Sequence, residues 1–145
     1  PGNVGGHCTP LYPWFLINEM DVPLIKKARE VNDDMIHYYF NKIKNIIKNN
    51  GKKVGIIGLS FREGVKEKAY SRSIAMIELL KSKGYDVYGL DPLYSKEETE
   101  KTFKVKFLDD FRKMDAIILM NKEVKYKDRL MGIKDKVVDV KRVLD

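Results

Sequence analysis

The chain has a single cysteine, Cys8, and this thiol is its best candidate for covalent chemistry. The residues around it, Gly5-Gly6-His7 before and Thr9-Pro10 after, are typical of turns rather than of helix. A thiolate is a strong nucleophile, and a neighbouring histidine or backbone N–H groups favour that form. Because a lone cysteine near a turn is more often inert, the residues alone leave a reactive and a structural thiol open.

Metal binding is not predicted. One cysteine excludes an intrachain disulfide and a two-cysteine zinc framework. His7 and Cys8 are adjacent residues, which rarely bind one metal ion together, and His37 is the remaining histidine of the sequence.

A second candidate is the loop after the first predicted strand, Gly58-Leu59-Ser60-Phe61-Arg62. In open α/β sheets, ligands bind beyond the carboxyl ends of the strands, at the point where the strand order reverses. The guanidinium of Arg62 could bind an anionic ligand there, although a surface arginine would give the same spacing. The glycine spacing of Gly55 and Gly58 does not match the dinucleotide fingerprint, so this loop is not predicted to hold NAD.

A long helix is predicted over Leu24 to Ile47, about 40 Å in length. Its apolar residues recur at spacings of three and four, Asp21 and Pro23 provide a start signal, and Asn50-Gly51 provides an end signal. The apolar stripe is wider than one small domain can cover, so we expect a homodimer through this helix. Packing within its own chain is the alternative.

The rest of the chain alternates strands and helices, which predicts an α/β fold with a Rossmann-like, mostly parallel sheet. The predicted strands are Lys53 to Leu59, Tyr85 to Asp91, Ala116 to Met120 and Lys136 to Val140. The predicted helices are Ser71 to Lys83 and Lys125 to Met131, with short elements from Thr99 to Phe111. Residues 1–18, rich in glycine and proline, are predicted to lack helix.

The amino-acid composition limits the classes of function that are possible. The 145 residues are 43% hydrophobic and 34% charged, which fits a globular protein and argues against general disorder. The net charge of +7 is spread over lysines that alternate with glutamates, as in Lys66-Glu67-Lys68, so nucleic acid is not expected as a partner. No apolar run is long enough for a membrane span and no secretion signal is present, so a cytoplasmic location is expected.

Several motifs together resemble the UDP-glucose/GDP-mannose dehydrogenase family, and in particular its UDP-N-acetylmannosamine dehydrogenase branch. The similarity covers essentially the whole chain in the family's order. It rests on Pro1-Gly2-Asn3-Val4-Gly5-Gly6-His7-Cys8-Thr9-Pro10, Pro13-Trp14-Phe15-Leu16, Ala28-Arg29-Glu30-Val31-Asn32-Asp33, Val54 to Arg62, Asp91-Pro92 and Asp139 to Asp145.

The resemblance implies a C-terminal fragment of an enzyme that oxidises a nucleotide-sugar C6 hydroxymethyl to a carboxylate with two NAD⁺. Residues 1–50 would end a central domain with the dimer helix, and residues 51–145 would bind the nucleotide-sugar. Cys8 would be the nucleophile that forms a thioester. Gly5, Phe61, Arg62 and Lys141 would contact the substrate, a UDP-N-acetylhexosamine, while NAD would be bound mainly by an N-terminal domain that this chain lacks.

Three positions depart from the family pattern. Tyr12 stands where the family has an aspartate that assists the hydrolytic water, Arg62 replaces a lysine, and Ala69 replaces an arginine. Tyr12 and Ala69 favour an alternative, a non-catalytic nucleotide-sugar-binding or dimerisation module derived from the same family, whereas Arg62 keeps the charge of the lysine. The retained Cys8 with its glycines favours the enzyme.

Overall fold

The structure is a computed structural model that describes residues 2–145. The helices are α1 (Cys8–Glu19), α2 (Pro23–Ile46), α3 (Arg72–Ser82), α4 (Lys96–Phe103) and α5 (Lys127–Met131). The strands are β1 (Lys53–Ile57), β2 (Asp86–Leu90), β3 (Lys106–Phe107), β4 (Ala116–Leu119) and β5 (Val137–Asp139). Short 3₁₀ turns cover Phe111–Lys113, Val124–Tyr126 and Lys134–Lys136.

The five strands form one sheet in the order β3-β2-β1-β4-β5, and every neighbouring pair is parallel. The predicted α/β fold with a mostly parallel sheet is therefore confirmed. The central strands β1 and β4 are buried and apolar because helices and loops cover both faces of the sheet. The chain leaves β1 on one side and returns to β4 on the other, which places the switch point between their carboxyl ends.

Alternate residues of the central strands enter two hydrophobic clusters, one on each face of the sheet. Ile56 of β1 belongs to the cluster that contains Ile43 of α2 and Leu80 of α3. Ile57, the next residue, belongs to the cluster that contains Leu130 of α5. This period of two is what a pleated strand imposes on a sheet that is covered on both sides.

The long helix is present, but its ends differ from the predicted ones. Pro23 occupies the first helical position as predicted, whereas the N-cap residue is Val22, without a side-chain cap, rather than Asp21. The helix ends because Ile47 adopts an extended conformation, three residues before the predicted Asn50-Gly51 signal. With 24 residues, α2 is about 36 Å long.

The prediction that residues 1–18 lack helix is wrong for most of the segment, since α1 begins at Cys8. Pro10 lies in the first turn, where backbone N–H groups have no partner inside the helix, so a proline costs little there. Pro13 removes one internal hydrogen bond, and the helix nevertheless continues to Glu19. Residues 3–6 have no helix or strand, as predicted.

Candidate functional site

The loop after β1 is fixed by side chains from the neighbouring strands. The buried carboxylate of Asp91, directly after β2, accepts hydrogen bonds from the amides of Leu59 and Ser60 through Oδ2, both at 2.9 Å. Asn121, just after β4, donates from Nδ2 to the carbonyl of Ser60 at 2.8 Å. These three hydrogen bonds hold the loop at the switch point, and the amides of Leu59 and Ser60 are already engaged by a carboxylate.

The start of α3 holds the same loop from a third side. Ser71, the N-cap of α3, donates from Oγ to the carbonyl of Leu59 at 2.8 Å, and Ser73 donates to the carbonyl of Gly58 at 2.6 Å. Gly58 has φ +85°, and a Cβ there would lie 2.9 Å from the backbone nitrogen of Asn121. Glycine is therefore required at this turn.

The segment before Cys8 lies against this loop. Gly6 has φ +86°, and a Cβ on it would meet the Phe61 ring at 3.0 Å. The amide of Gly6 donates to the carbonyl of Tyr70 at 3.2 Å. Cys8 itself is exposed at the first position of α1, two residues after this contact. The structure therefore brings the single cysteine to the carboxyl end of the sheet.

Three of the five predicted site residues, Gly5, Phe61 and Lys141, line one small cavity at the switch point. Its volume is about 20 Å³, room for about one water molecule. Cys8 and Arg62 do not line this cavity. Both are exposed, and the Arg62 guanidinium lies 5.5 Å from the centre of the Phe61 ring.

Polar groups that sequence reasoning did not assign to the site also line this cavity. Asn3 and Ser60 are buried, and neither Nδ2 of Asn3 nor Oγ of Ser60 has a hydrogen-bond partner within residues 2–145. A wider cavity of about 540 Å³, bordered by Lys44, Lys52 and Lys83, lies at the opposite, amino end of the strands. Those lysines suit the negative ends of α2 and α3, so this cavity needs no ligand to explain it.

One buried acid near the loop has an unusual proton affinity. Burial, with the charges of Asp91 and Glu63, raises the pKa of Glu123 to about 6. Glu123 follows β4 by four residues and is 7% exposed. A glutamate just beyond the carboxyl end of a central strand was a signal that sequence reasoning did not use.

The raised pKa of Glu123 makes the stability of the chain depend on pH. Because the folded state holds this proton more tightly than the unfolded chain, the stabilisation is complete below about pH 4.5 and is lost as the pH rises through about 6. Glu123→Gln should therefore raise the free energy of unfolding at pH 7.5 by about 1–2 kcal/mol and leave it unchanged near pH 4. Urea unfolding at both pH values measures this difference.

The matched control is Glu100→Gln on the exposed surface of α4. It should change the free energy of unfolding by the same small amount at both pH values. The change in the free energy of unfolding between pH 4 and pH 7.5 should be smaller in Glu123→Gln than in the unmodified chain. If the two changes are equal, protonation of Glu123 does not cause the pH dependence.

These features define a Rossmann-like α/β protein. Its parallel sheet has a fixed loop at the switch point, the edge where such sheets bind ligands, and it is preceded by the helix that carries Cys8 and by the long helix α2. The model of the UDP-binding domain of the UDP-glucose/GDP-mannose dehydrogenase family matches residues 55–145. The chain belongs to this family.

Within residues 2–145, no helix is long and apolar enough to cross a membrane, and no cluster of three acidic, histidine or cysteine side chains could bind a metal.

Curated relatives extend the similarity to the rest of the chain. The UDP-N-acetyl-D-mannosamine dehydrogenase of Methanocaldococcus jannaschii is 30% identical, over all of this chain and 35% of the relative. The enzyme of the same name from Methanococcus aeolicus is 32% identical over 88% of this chain and 29% of the relative. The chain therefore spans about a third of the length of these relatives.

The fold agrees with that of solved structures. The UDP-D-ManNAc dehydrogenase of Pyrococcus horikoshii superposes with a TM-score of 0.75 at 22% identity, covering 99% of this chain and 36% of that one. The likeness spans α1, α2 and the sheet domain, so the whole described chain has the fold of the C-terminal part of this dehydrogenase.

Proposed function

We propose that the chain is the C-terminal part of an NAD-dependent dehydrogenase that oxidises a UDP-N-acetylhexosamine, by similarity UDP-N-acetylmannosamine, to its uronic acid. The observation that carries the proposal is the contact of the cysteine segment with the switch-point loop, through Gly6 on Phe61. It puts the one thiol of the chain beside the edge at which α/β sheets bind ligands. The family membership supplies the substrate class.

The substrate edge offers several hydrogen-bond donors to an anionic sugar nucleotide. Arg62 is exposed above Phe61, and Lys141 follows β5 at the same edge of the sheet. The cavity between them is too small for a sugar, so the ligand would bind across its outer rim. There the guanidinium of Arg62 can bind the diphosphate and the sugar can reach Cys8.

The described residues do not fit a dinucleotide. In dinucleotide-binding sheets the first loop directs free backbone amides at the pyrophosphate. In this chain the amides of Leu59 and Ser60 bind the carboxylate of Asp91, which would repel a pyrophosphate. Both hydride transfers of the proposed reaction therefore belong to NAD held by residues outside this chain.

Cys8 would form the covalent intermediate. Its sulfur would add to the aldehyde-level carbon, forming a C–S bond while the thiol proton passes to the carbonyl oxygen. NAD⁺ held outside the described residues would supply the oxidant: loss of a hydride to it and of the hydroxyl proton to a base would convert this thiohemiacetal to a thioester. Water would then cleave the C–S bond and release the acid with the thiol. Sulfur suits both steps because it is a strong nucleophile at carbonyl carbon and a good leaving group.

A non-catalytic nucleotide-sugar-binding module is the second candidate, and Tyr12 is the observation that favours it. Tyr12 lies one helical turn after Cys8 on the exposed surface of α1, so its side chain neighbours the thiol. A phenol at this place is a poorer general base for the hydrolytic water than a carboxylate. Such a module would bind the sugar nucleotide and form no adduct.

Ligand binding by the chain tests the assignment of the edge. We expect calorimetry to detect weak binding of UDP-N-acetylmannosamine and no binding of NAD⁺. Arg62→Ala should weaken binding of the sugar nucleotide by about 1.5–3 kcal/mol, because a charge-assisted hydrogen bond is lost. Arg112→Ala is the matched control, because Arg112 is exposed in the 3₁₀ turn after β3 and its loss should leave the affinity unchanged.

Tighter binding of NAD⁺ than of the sugar nucleotide would show that the edge has been assigned to the wrong ligand. An equal effect of the two arginine substitutions would show that Arg62 contributes only net charge.

A homodimer through α2 is part of the same proposal. The exposed positions Leu24, Ala28, Val31 and Tyr38, together with half-buried Met35, follow spacings of four, three, four and three. This is the a/d pattern of a coiled-coil seam, and Leu24 is 82% exposed in the single chain. A second copy packed on this seam would cover it.

Val31→Lys should dissociate the dimer, because it buries an unpaired charge in the seam. Asn41→Lys adds the same charge on the solvent face of α2 and should leave the dimer intact. Light scattering at tens of micromolar measures both masses. A monomer mass for the unmodified chain would contradict the dimer. Tyr39, which lies within the predicted helix Leu24 to Ile47, is buried in the core, so a lysine there would disrupt the fold instead of testing the dimer.

A further inference from the structure

Residues 3–6, just before Cys8 and its neighbour His7, have no regular secondary structure and are anchored to two other parts of the chain. The first anchor is Asn32 in α2. Its Oδ1 accepts from the amide of Val4 at 2.7 Å, and its Nδ2 donates to the carbonyl of Val4 at 3.1 Å. The side-chain amide thus pairs with Val4 as a neighbouring strand would.

The second anchor is Tyr70, just before α3. Its carbonyl accepts from the amide of Gly6 at 3.2 Å, and its ring packs edge-on against the ring of His7 with centroids 5.1 Å apart. A Cβ at Gly5 would lie 2.7 Å from the Tyr70 carbonyl oxygen, so the approach needs glycine.

The backbone of Tyr70 is strained. Its φ of +54° lies in the left-handed region, which a residue with a bulky side chain rarely adopts. The side chain is 51% exposed, so burial of the ring does not account for this conformation. Strained residues are retained where the surrounding structure over-determines them, which is common beside functional groups.

Arg72 connects the two anchors. It donates to Oδ1 of Asp33 at 3.1 Å and to the backbone carbonyls of Asn32 and Asp33 at 3.4 and 3.2 Å. Arg29 binds the same Asp33 carboxylate at 2.8 Å. Because Asn32 adjoins Asp33 and Tyr70 lies two residues before Arg72, these bonds fix the distance between the anchors that hold the cysteine segment.

We infer that Tyr70 is a positioning residue for Cys8, through its contacts with Gly6 and His7. The inference rests on the proposed function, in which Cys8 is the nucleophile. Tyr70 acts on the cysteine indirectly: it holds His7, the N-cap residue of α1, and Cys8 is the first residue of that helix. Asn32 sets where the segment starts, and Tyr70 sets the direction in which it enters α1.

The test separates the ring of Tyr70 from its backbone in a complete dehydrogenase that contains this chain. Tyr70→Gly adopts the left-handed backbone without strain but lacks the ring, whereas Tyr70→Phe keeps ring and backbone. We expect Tyr70→Gly to slow the second oxidation, from aldehyde to acid, by about 10- to 100-fold, since small misplacements of a reacting group act on this scale. The first oxidation and the KM for the sugar nucleotide should change less than about twofold, and Tyr70→Phe should restore the second rate.

If Tyr70→Gly slows both oxidations equally, the inference is wrong. It is also wrong if Tyr70→Phe slows the second oxidation as much as Tyr70→Gly does. A second oxidation at the normal rate in Tyr70→Gly would overturn it as well. Should Tyr70→Gly fail to fold, Tyr70→Asn takes its place, because asparagine tolerates the left-handed region. Cys8→Ser in the same assay keeps the two proposals apart: if it completes both oxidations, the proposed function fails and Tyr70 has no nucleophile to position.

Discussion

Cys8→Ser, in a complete dehydrogenase that contains this chain, should release the aldehyde-level product or keep it bound, with the second oxidation slowed by roughly 10³-fold or more. The first oxidation needs hydride transfer and a base but no thiol, so its rate should persist. The second needs a tetrahedral adduct before hydride can leave, and the sulfur supplies it. Stopped-flow absorbance of NADH, with one or two equivalents formed per sugar, distinguishes the two steps.

Thr9→Ser is the matched control, since it also introduces a serine, one residue from Cys8, while it keeps the hydroxyl of Thr9 and removes only a methyl group, so both rates should stay unchanged. Tyr12→Asp is the companion variant: a carboxylate one turn from Cys8 should speed release of the acid wherever thioester hydrolysis limits turnover. If Cys8→Ser forms two equivalents of NADH at the normal rate, the thiol is structural.

Loss of the Asp91 carboxylate should have the largest effect on stability of any single change in the loop region. Oδ2 accepts from Leu59 and Ser60, and Oδ1 accepts from the amide of Leu93 at 3.0 Å. Asp91→Ala would leave three amides without this acceptor, those of Leu59 and Ser60 in a buried place, which should cost about 3–5 kcal/mol in the free energy of unfolding. Urea unfolding at constant pH measures this loss.

Asp86→Ala provides the control, because Asp86 is an exposed carboxylate at the start of β2, and solvent screens its pairing with Lys106 at 3.2 Å. Asp91→Asn should also destabilise, because an amide cannot accept at both of its terminal atoms. A loss for Asp91→Ala no larger than for Asp86→Ala would show that the loop is held by other contacts.

The sheet could be predicted because its signals are local. The apolar runs of β1 and β4 are bounded by charged or glycine residues, and Ser71 caps α3 by accepting from the amide of Ser73. The core half of α2 could be read from apolar spacing for the same reason. The helix α1 was missed because two prolines and adjacent glycines outweigh its apolar content, although Pro10 lies where a helix tolerates proline.

The site was predicted only in part because many of its contacts join residues distant in sequence. Gly5, Phe61 and Lys141 meet at one cavity, and their grouping was implied by family resemblance rather than by spacing. Asp91 and Tyr70 could not be assigned roles beforehand, because each acts on a residue distant in sequence. Asp91 accepts from the amide of Leu59 across 32 residues, and the ring of Tyr70 packs on His7 in the cysteine segment. Spacing along the sequence gives no signal for such contacts.

Mass spectrometry of the peptide that contains Cys8 can detect the proposed thioester itself. A complete dehydrogenase that contains this chain is mixed with UDP-N-acetylmannosamine and NAD⁺, quenched in acid within one turnover, and digested. We expect a peptide containing Cys8 that carries the mass of the sugar-nucleotide thioester and loses it on treatment with hydroxylamine. Two equivalents of NADH formed with no adduct on that peptide at any quench time would contradict the role of Cys8 as the nucleophile.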